Sequence, residues 1–128
     1  MEDETPLKLF TPKEATQTLP LVKRIVVDML EIGQHIRTLS VEPGEKNEAE
    51  KELSDAIDQL DELIEELESL GCFYKDWNFS VGLVDFPSVI NNKEVLLCWR
   101  SDEDEIKYYH DLETGFDGRK PIPATLFK

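Results

Sequence analysis

Asp85, Arg100 and His110 have the side-chain types of a reaction centre: an imidazole to act as base, a carboxylate to orient it and a guanidinium to hold an anionic substrate. Asp111, directly after His110, is a second candidate for the orienting carboxylate, so the catalytic candidates are His110, Asp85, Arg100 and Asp111. The candidate ligand-binding residues are Arg100, His110, Glu113 and Arg119. Each has a plainer reading. An arginine among strands with acidic neighbours is most often an ion-pair partner, and a single histidine is more often a hydrogen-bonded structural residue than a base.

Other reactive types carry less. A metal centre would have to gather His110, Asp111 and Glu113 with Asp85, and no His-x-x-x-His pair or second nearby histidine supports it, so neither metal nor cofactor is expected. Cys72 and Cys98 lack CxxC spacing and read as two small buried hydrophobes. Burial beside Trp99 argues against Cys98 as a nucleophile, which needs a lowered pKa. His35, in the first helix, needs only solvent or a polar contact. Gly115-Phe116-Asp117-Gly118-Arg119-Lys120 offers two glycines able to take positive φ and two cations. It reads first as a turn closing a small sheet and second as an anion nest; the features of a nucleotide loop are missing.

The elements that must position these residues divide at Gly71. Residues 1–70 carry 7 basic and 18 acidic side chains, and 71–128 carry 7 and 10. Ten of the eleven aromatic residues follow Gly71. Helices are therefore expected in front and strands behind. The whole chain, 128 residues with net charge −14 and 40% hydrophobic residues, suits one domain of 1–128 that is acidic yet apolar enough to fold. A field of that sign repels phosphate backbones and anionic lipid, so neither nucleic acid nor membrane is expected as a partner.

A helical hairpin is expected over 11–40 and 45–70. Thr11 and Glu14 form a capping box, Pro12 suits the first helical position, and Phe10 can staple onto Ala15. The stripe Ala15, Leu19, Val22, Val26, Met29 and Ile36 follows, and Pro20 within it predicts a kink or break near Thr18. Pro43-Gly44 turns the chain, and Asn47 with Glu50 offers a second capping box. The second stripe runs through Ala49, Leu53, Ala56, Leu60, Leu63 and Leu67 to a Schellman stop at Gly71. Residues 45–68 hold 11 acidic and 2 basic side chains, most simply a solvated outer face. Leu21, Ile25 and Ile32 on one helix, with Ile57 and Ile64 on the other, exceed one seam and are expected to pack either on the sheet or on a second protomer's hairpin, a homodimer through the hairpin being the expected partner arrangement.

A small antiparallel sheet is expected over 72–110, with strands at Cys72 to Trp77, Val81 to Phe86 closed by Pro87, Glu94 to Arg100, and Ile106 to His110. Asn91-Asn92 supplies a tight hairpin turn. Alternation puts Leu96, Cys98 and Arg100 on one face, and Ile106, Tyr108 and His110 on one face, so Arg100 and His110 are expected in one cleft with Asp85. Residues 111–128 should form an irregular tail.

Several blocks in order carry a family resemblance: Phe10-Thr11-Pro12-Lys13-Glu14-Ala15 with Leu19-Pro20-Leu21-Val22, Gly82-Leu83-Val84-Asp85-Phe86-Pro87, Leu97-Cys98-Trp99-Arg100, Tyr109-His110-Asp111-Leu112-Glu113, and Gly115 to Ile122. Across nearly its whole length the chain resembles the uncharacterised prokaryotic family catalogued as domain of unknown function 2203. The resemblance implies no activity, substrate or cofactor. Its polar motif positions would correspond to Asp85, Arg100, His110, Asp111, Glu113 and Arg119. A departure is Ser101-Asp102-Glu103-Asp104, where the family pattern has a Gly-Glu turn.

The expected fold is α+β, a long coiled-coil-like antiparallel helical hairpin packed on a small antiparallel β-meander. The expected function is a binding, regulatory or protein-interaction module with a polar cleft on the sheet, its partner a protein or a small anionic ligand. The alternative is a small hydrolase or lyase with His110 as base and Arg100 and Arg119 as anion binders. Met1-Glu2-Asp3-Glu4-Thr5-Pro6 has no basic start or apolar run, and no stretch reaches the roughly 20 apolar residues of a membrane span, so a cytoplasmic location is expected.

Overall fold

The computed structural model describes residues 8–41, 46–76 and 79–128, and the side chains of all of these except 40, 41 and 46–49. Helix α1 spans Pro12–Val41 and α2 spans Lys46–Ser69. The capping box forms in both directions: Glu14 N–H donates to Thr11 Oγ1 at 3.0 Å, and Thr11 N–H donates to Glu14 Oε1 at 2.9 Å. Phe10 and Ala15 are both buried at this end. The turn at Pro43-Gly44 and the Asn47 cap lie outside the described residues and side chains.

Pro20 does not break the helix: α1 is continuous from Pro12 to Val41, so the first turns are not a separate element. Pro20 and Thr16 are both exposed. The carbonyl that loses its intrahelical donor is therefore on the wet side, where solvent replaces the bond. Helix α2 stops as expected, with Gly71 at φ 97°, Gly71 N–H donating to Glu68 and Cys72 N–H to Leu67. Leu67 and Cys72, the apolar pair of that stop, are both fully buried.

Behind the hairpin lies a five-stranded antiparallel sheet in the order β1 (Phe73–Tyr74), β2 (Leu83–Ile90), β3 (Lys93–Arg100), β4 (Tyr108–Asp111), β5 (Lys120–Pro121). Asn91 and Asn92, at φ 53° and 64°, make the two-residue turn that sets Ile90 opposite Lys93. Strand β2 does not close at Pro87 but runs through it to Ile90. The Pro87 carbonyl accepts from Phe10 N–H, so its ring nitrogen faces the same outer side, beyond the end of β1, where no strand donor is required. Ile106 precedes β4 and is buried in the core. The tail is not wholly irregular: it supplies β5 and two short 3₁₀ turns, Phe116–Gly118 and Ala124–Phe127.

One hydrophobic core joins both halves. From α1 come Leu19, Val22, Val26 and Met29, from α2 Leu60 and Leu67, and from the inner face of the sheet Val84, Phe86, Val95, Leu97 and Trp99. Of the five extra apolar hairpin positions, Ile25 is buried in this core and Ile32 and Ile64 pack partly against it, whereas Leu21 and Ile57 are exposed. No helix among the described residues is long and apolar enough to cross a membrane.

Candidate functional site

Because the Asn91-Asn92 turn fixes the β2–β3 register, Asp85 falls directly opposite Cys98. The β3–β4 register sets Leu96 opposite His110 and Cys98 opposite Tyr108. Opposed residues share a face, so Asp85, Leu96, Cys98, Arg100, Tyr108 and His110 all lie on the side of the sheet away from the helices. A polar face left open would suit solvent, yet Asp85, Cys98 and His110 are buried there. The segment after β4 covers them: Thr114 N–H donates to the Asp111 carbonyl at 3.2 Å, folding Leu112 to Phe116 back over the sheet. Beneath this roof is a cavity of about 190 Å³, lined by Lys75, Asp85, Leu96, Cys98, His110, Leu112, Thr114 and Phe116 among others.

The histidine in its floor has both ring nitrogens engaged. His110 Nδ1 lies 2.8 Å from the Asp111 carbonyl oxygen. A carbonyl only accepts, so Nδ1 carries the proton and, in the neutral ring, Nε2 carries the lone pair. Nε2 lies 3.3 Å from Asp85 Oδ1. Two lone pairs cannot bond each other, so a proton shared with Asp85 closes this contact. Burial pushes the Asp85 carboxyl above its ordinary range, against the pull of His110 and Lys75. Burial likewise pushes the Cys98 thiol up to about 12, with Asp85 adding to the effect and Arg119 opposing it. A thiol held protonated this way is a poor nucleophile.

The remaining candidates separate from His110. Arg100 stands four residues along β3 from Leu96, the partner of His110, which is about 13 Å along the strand. Its guanidinium binds Asp102 through two nitrogens, with Nε 2.7 Å from Oδ1, and stacks over Phe116. Arg119 lies between the rings of Tyr108 and Phe116, 4.3 and 4.0 Å from their centroids, and donates twice to Glu103, at 2.9 and 3.1 Å. Asp111 is opposite Val95, a core position, so its carboxylate points to the other face, where Lys93 and Lys120 flank it. Its main-chain oxygen, not its carboxylate, orients His110. Glu113 is exposed and does not line the cavity.

Neither glycine of the 115–118 segment uses positive φ; among the described glycines Gly71 alone does so. The turned amides of Gly118 and Arg119 donate within the segment, to Gly115 and Phe116. They are spent on the turn and unavailable to an anion. Gly118 is small for a steric reason, since a Cβ there would lie 2.7 Å from Thr114.

Sequence reasoning missed Cys98, which shares the floor with Asp85 and His110; their ligating atoms all lie within 4.8 Å of one another. It also missed Glu103, which takes Arg119 out of play, and whose carboxylate and carbonyl accept from Arg100 N–H and Trp99 Nε1. The motif positions noted above are thus divided between a buried floor and an aromatic–guanidinium cluster beside it. The family pattern described as Uncharacterized conserved protein (DUF2203) matches residues 8–122. The chain belongs to this family. No curated protein and no solved structure matches it. As a DUF2203 protein it places both the floor, Asp85, Cys98 and His110, and the Arg119–Glu103 pair inside the matched region.

Proposed function

We propose that the protein is a non-catalytic binding module that takes a small ligand into the pocket on the outer face of its sheet. The pair of bonds on the His110 ring carries this reading. A general base needs a ring nitrogen within reach of the proton it removes. Here one nitrogen is held by the Asp111 carbonyl and the other by Asp85, so the side chain is placed as a fixed polar floor. The anion binders expected of a hydrolase or lyase are Arg100 and Arg119, which would have to stand free beside His110. Arg100 and Arg119 are instead matched by Asp102 and Glu103 and do not line the pocket.

The pocket has a polar floor and the apolar walls Leu83, Leu96, Leu112 and Phe116, the usual composition of a ligand site. At about 190 Å³ it suits an ion or a molecule of a few heavy atoms. The test is a thermal-shift screen of small polar compounds against the wild type and Leu96→Trp, which fills the pocket. Compounds should raise the wild-type Tm, because a ligand bound to the native state stabilises it, and leave the variant unmoved. Hits that shift both equally, or turnover of an anionic ester that is lost in His110→Gln, would overturn the reading.

A further inference from the structure

Three donor atoms of different chemistry meet in the floor of this pocket, one from each of β2, β3 and β4: a carboxylate oxygen, a sulfur and an imidazole nitrogen, all on buried residues. We propose that Asp85, Cys98 and His110 bind a divalent ion of the zinc class through these three atoms, with the fourth position open to the pocket. The proposal deepens the binding-module reading by naming the chemical class of the ligand.

Four observations support it. Two ligands each about 2.0–2.1 Å from a tetrahedral ion stand roughly 3.3 Å apart. Asp85 Oδ1 and His110 Nε2 are 3.3 Å apart. Next, the Asp111 carbonyl fixes the tautomer that presents the Nε2 lone pair, the arrangement in which metal-binding histidines are usually held. Charge balances within the ligand set as well: a carboxylate, a thiolate and a neutral imidazole together match a 2+ ion. Finally, mixed O, S and N donors favour zinc or cobalt over magnesium or calcium, which take oxygen ligands. The acidic groove between the helices, lined by Asp28, Glu31, Glu62 and Glu66, has no such donor mixture.

On binding, Cys98 Sγ–H loses its proton to solvent and forms the S–metal bond, and Asp85 releases any proton it shares with Nε2. The experiment is a Co²⁺ titration of chelator-treated, dialysed protein followed by absorption, with Zn²⁺ as competitor. One equivalent should give a saturable spectrum with intense four-coordinate bands and a thiolate-to-cobalt charge-transfer band, both abolished by Zn²⁺. Cys98→Ser should lose the charge-transfer band. Asp85→Asn and His110→Gln should each weaken binding at least about tenfold, while His35→Gln, at an exposed histidine, should bind as wild type. Should Cys98→Ser fail to fold, a band retained in Cys72→Ser assigns it to Cys98. A pale, unsaturating spectrum, or a band that survives in folded Cys98→Ser, overturns the proposal. If small compounds still act through the pocket in that case, the metal assignment alone fails; if they do not, the binding-module reading fails with it.

Discussion

His110 presents Nε2 to Asp85 Oδ1 at 3.3 Å while its Nδ1–H is held 2.8 Å from the Asp111 carbonyl. An asparagine at 85 could donate its amide to that lone pair, whereas an alanine would leave it buried and unpaired. In chelator, Asp85→Ala should therefore be about 1–3 kcal/mol less stable than wild type in urea unfolding, and Asp85→Asn at least as stable. Burial raises the Asp85 carboxyl from its ordinary value near 3.8, so the folded chain holds a proton that the unfolded chain releases. Stability then falls as pH rises from that value through the raised one, and the Asp85→Asn variant escapes this loss. Its advantage should grow across that window. Imidazole ¹⁵N shifts read the tautomer directly, and a bare Nδ1 or an Asp85→Asn as weak as Asp85→Ala would contradict the assignment.

Arg119 stacks between Tyr108 and Phe116 and forks onto Glu103, its side chain only 14% exposed. Lysine keeps the charge but loses the planar stack and the two-pronged bond. Arg119→Lys should thus be destabilised nearly as much as Arg119→Ala, by roughly 1–3 kcal/mol. Urea unfolding measures this, and a wild-type Arg119→Lys would show that charge alone matters.

The Asn91-Asn92 turn requires left-handed backbone at both residues. A β-branched side chain resists that conformation by about 1–2 kcal/mol, while glycine takes it freely. Asn92→Val should lower stability by about that amount, and Asn92→Gly should preserve or raise it. Equal Tm values for the two variants would contradict a turn-determined register.

Gly33 lies inside α1, where alanine would ordinarily stabilise by about 1 kcal/mol. A Cβ at 33 would meet Phe79 Cγ at 2.4 Å, and overpacking of that kind costs about 1–3 kcal/mol, so packing decides the sign. Gly33→Ala should lower the Tm, and should raise it in a Phe79→Gly background, because the Phe79 Cβ would itself lie 2.7 Å from the added Cβ and glycine also takes the φ of 56° at 79. A stabilised single variant would mean that the Phe79 ring moves aside freely.

Part of this site could be read from the chain itself. Asp85 and Cys98 lie equal steps from Asn91-Asn92, so one tight turn dictates that they oppose each other. Cys98 gives no signal of its own as a site residue, since a lone thiol in an apolar strand looks like any small hydrophobe. His110 came to the same face by alternation, but its place along β3 depends on the long 101–107 connection, for which no short turn sets a register. The pairing of Arg100 with Asp102 and of Arg119 with Glu103 is tertiary geometry, hidden inside an acidic run. Pro20 and Pro87 are both tolerated because the missing N–H leaves no buried acceptor unserved: at Pro20 the orphaned carbonyl is on the exposed side of α1, and at Pro87 the nitrogen faces past the end of β1, where no strand lies opposite. The capping box at Thr11 and Glu14 and the stop at Gly71 are local, and both formed as their residues dictate.

The binding pocket is tested most directly by amide ¹H–¹⁵N shift mapping with the compounds that raise the Tm. Perturbations should centre on Asp85, Leu96, Cys98, His110 and Thr114, at the floor and roof of the cavity. Shifts confined instead to the helical groove around Asp28 and Glu62, with the sheet face silent, would contradict the account.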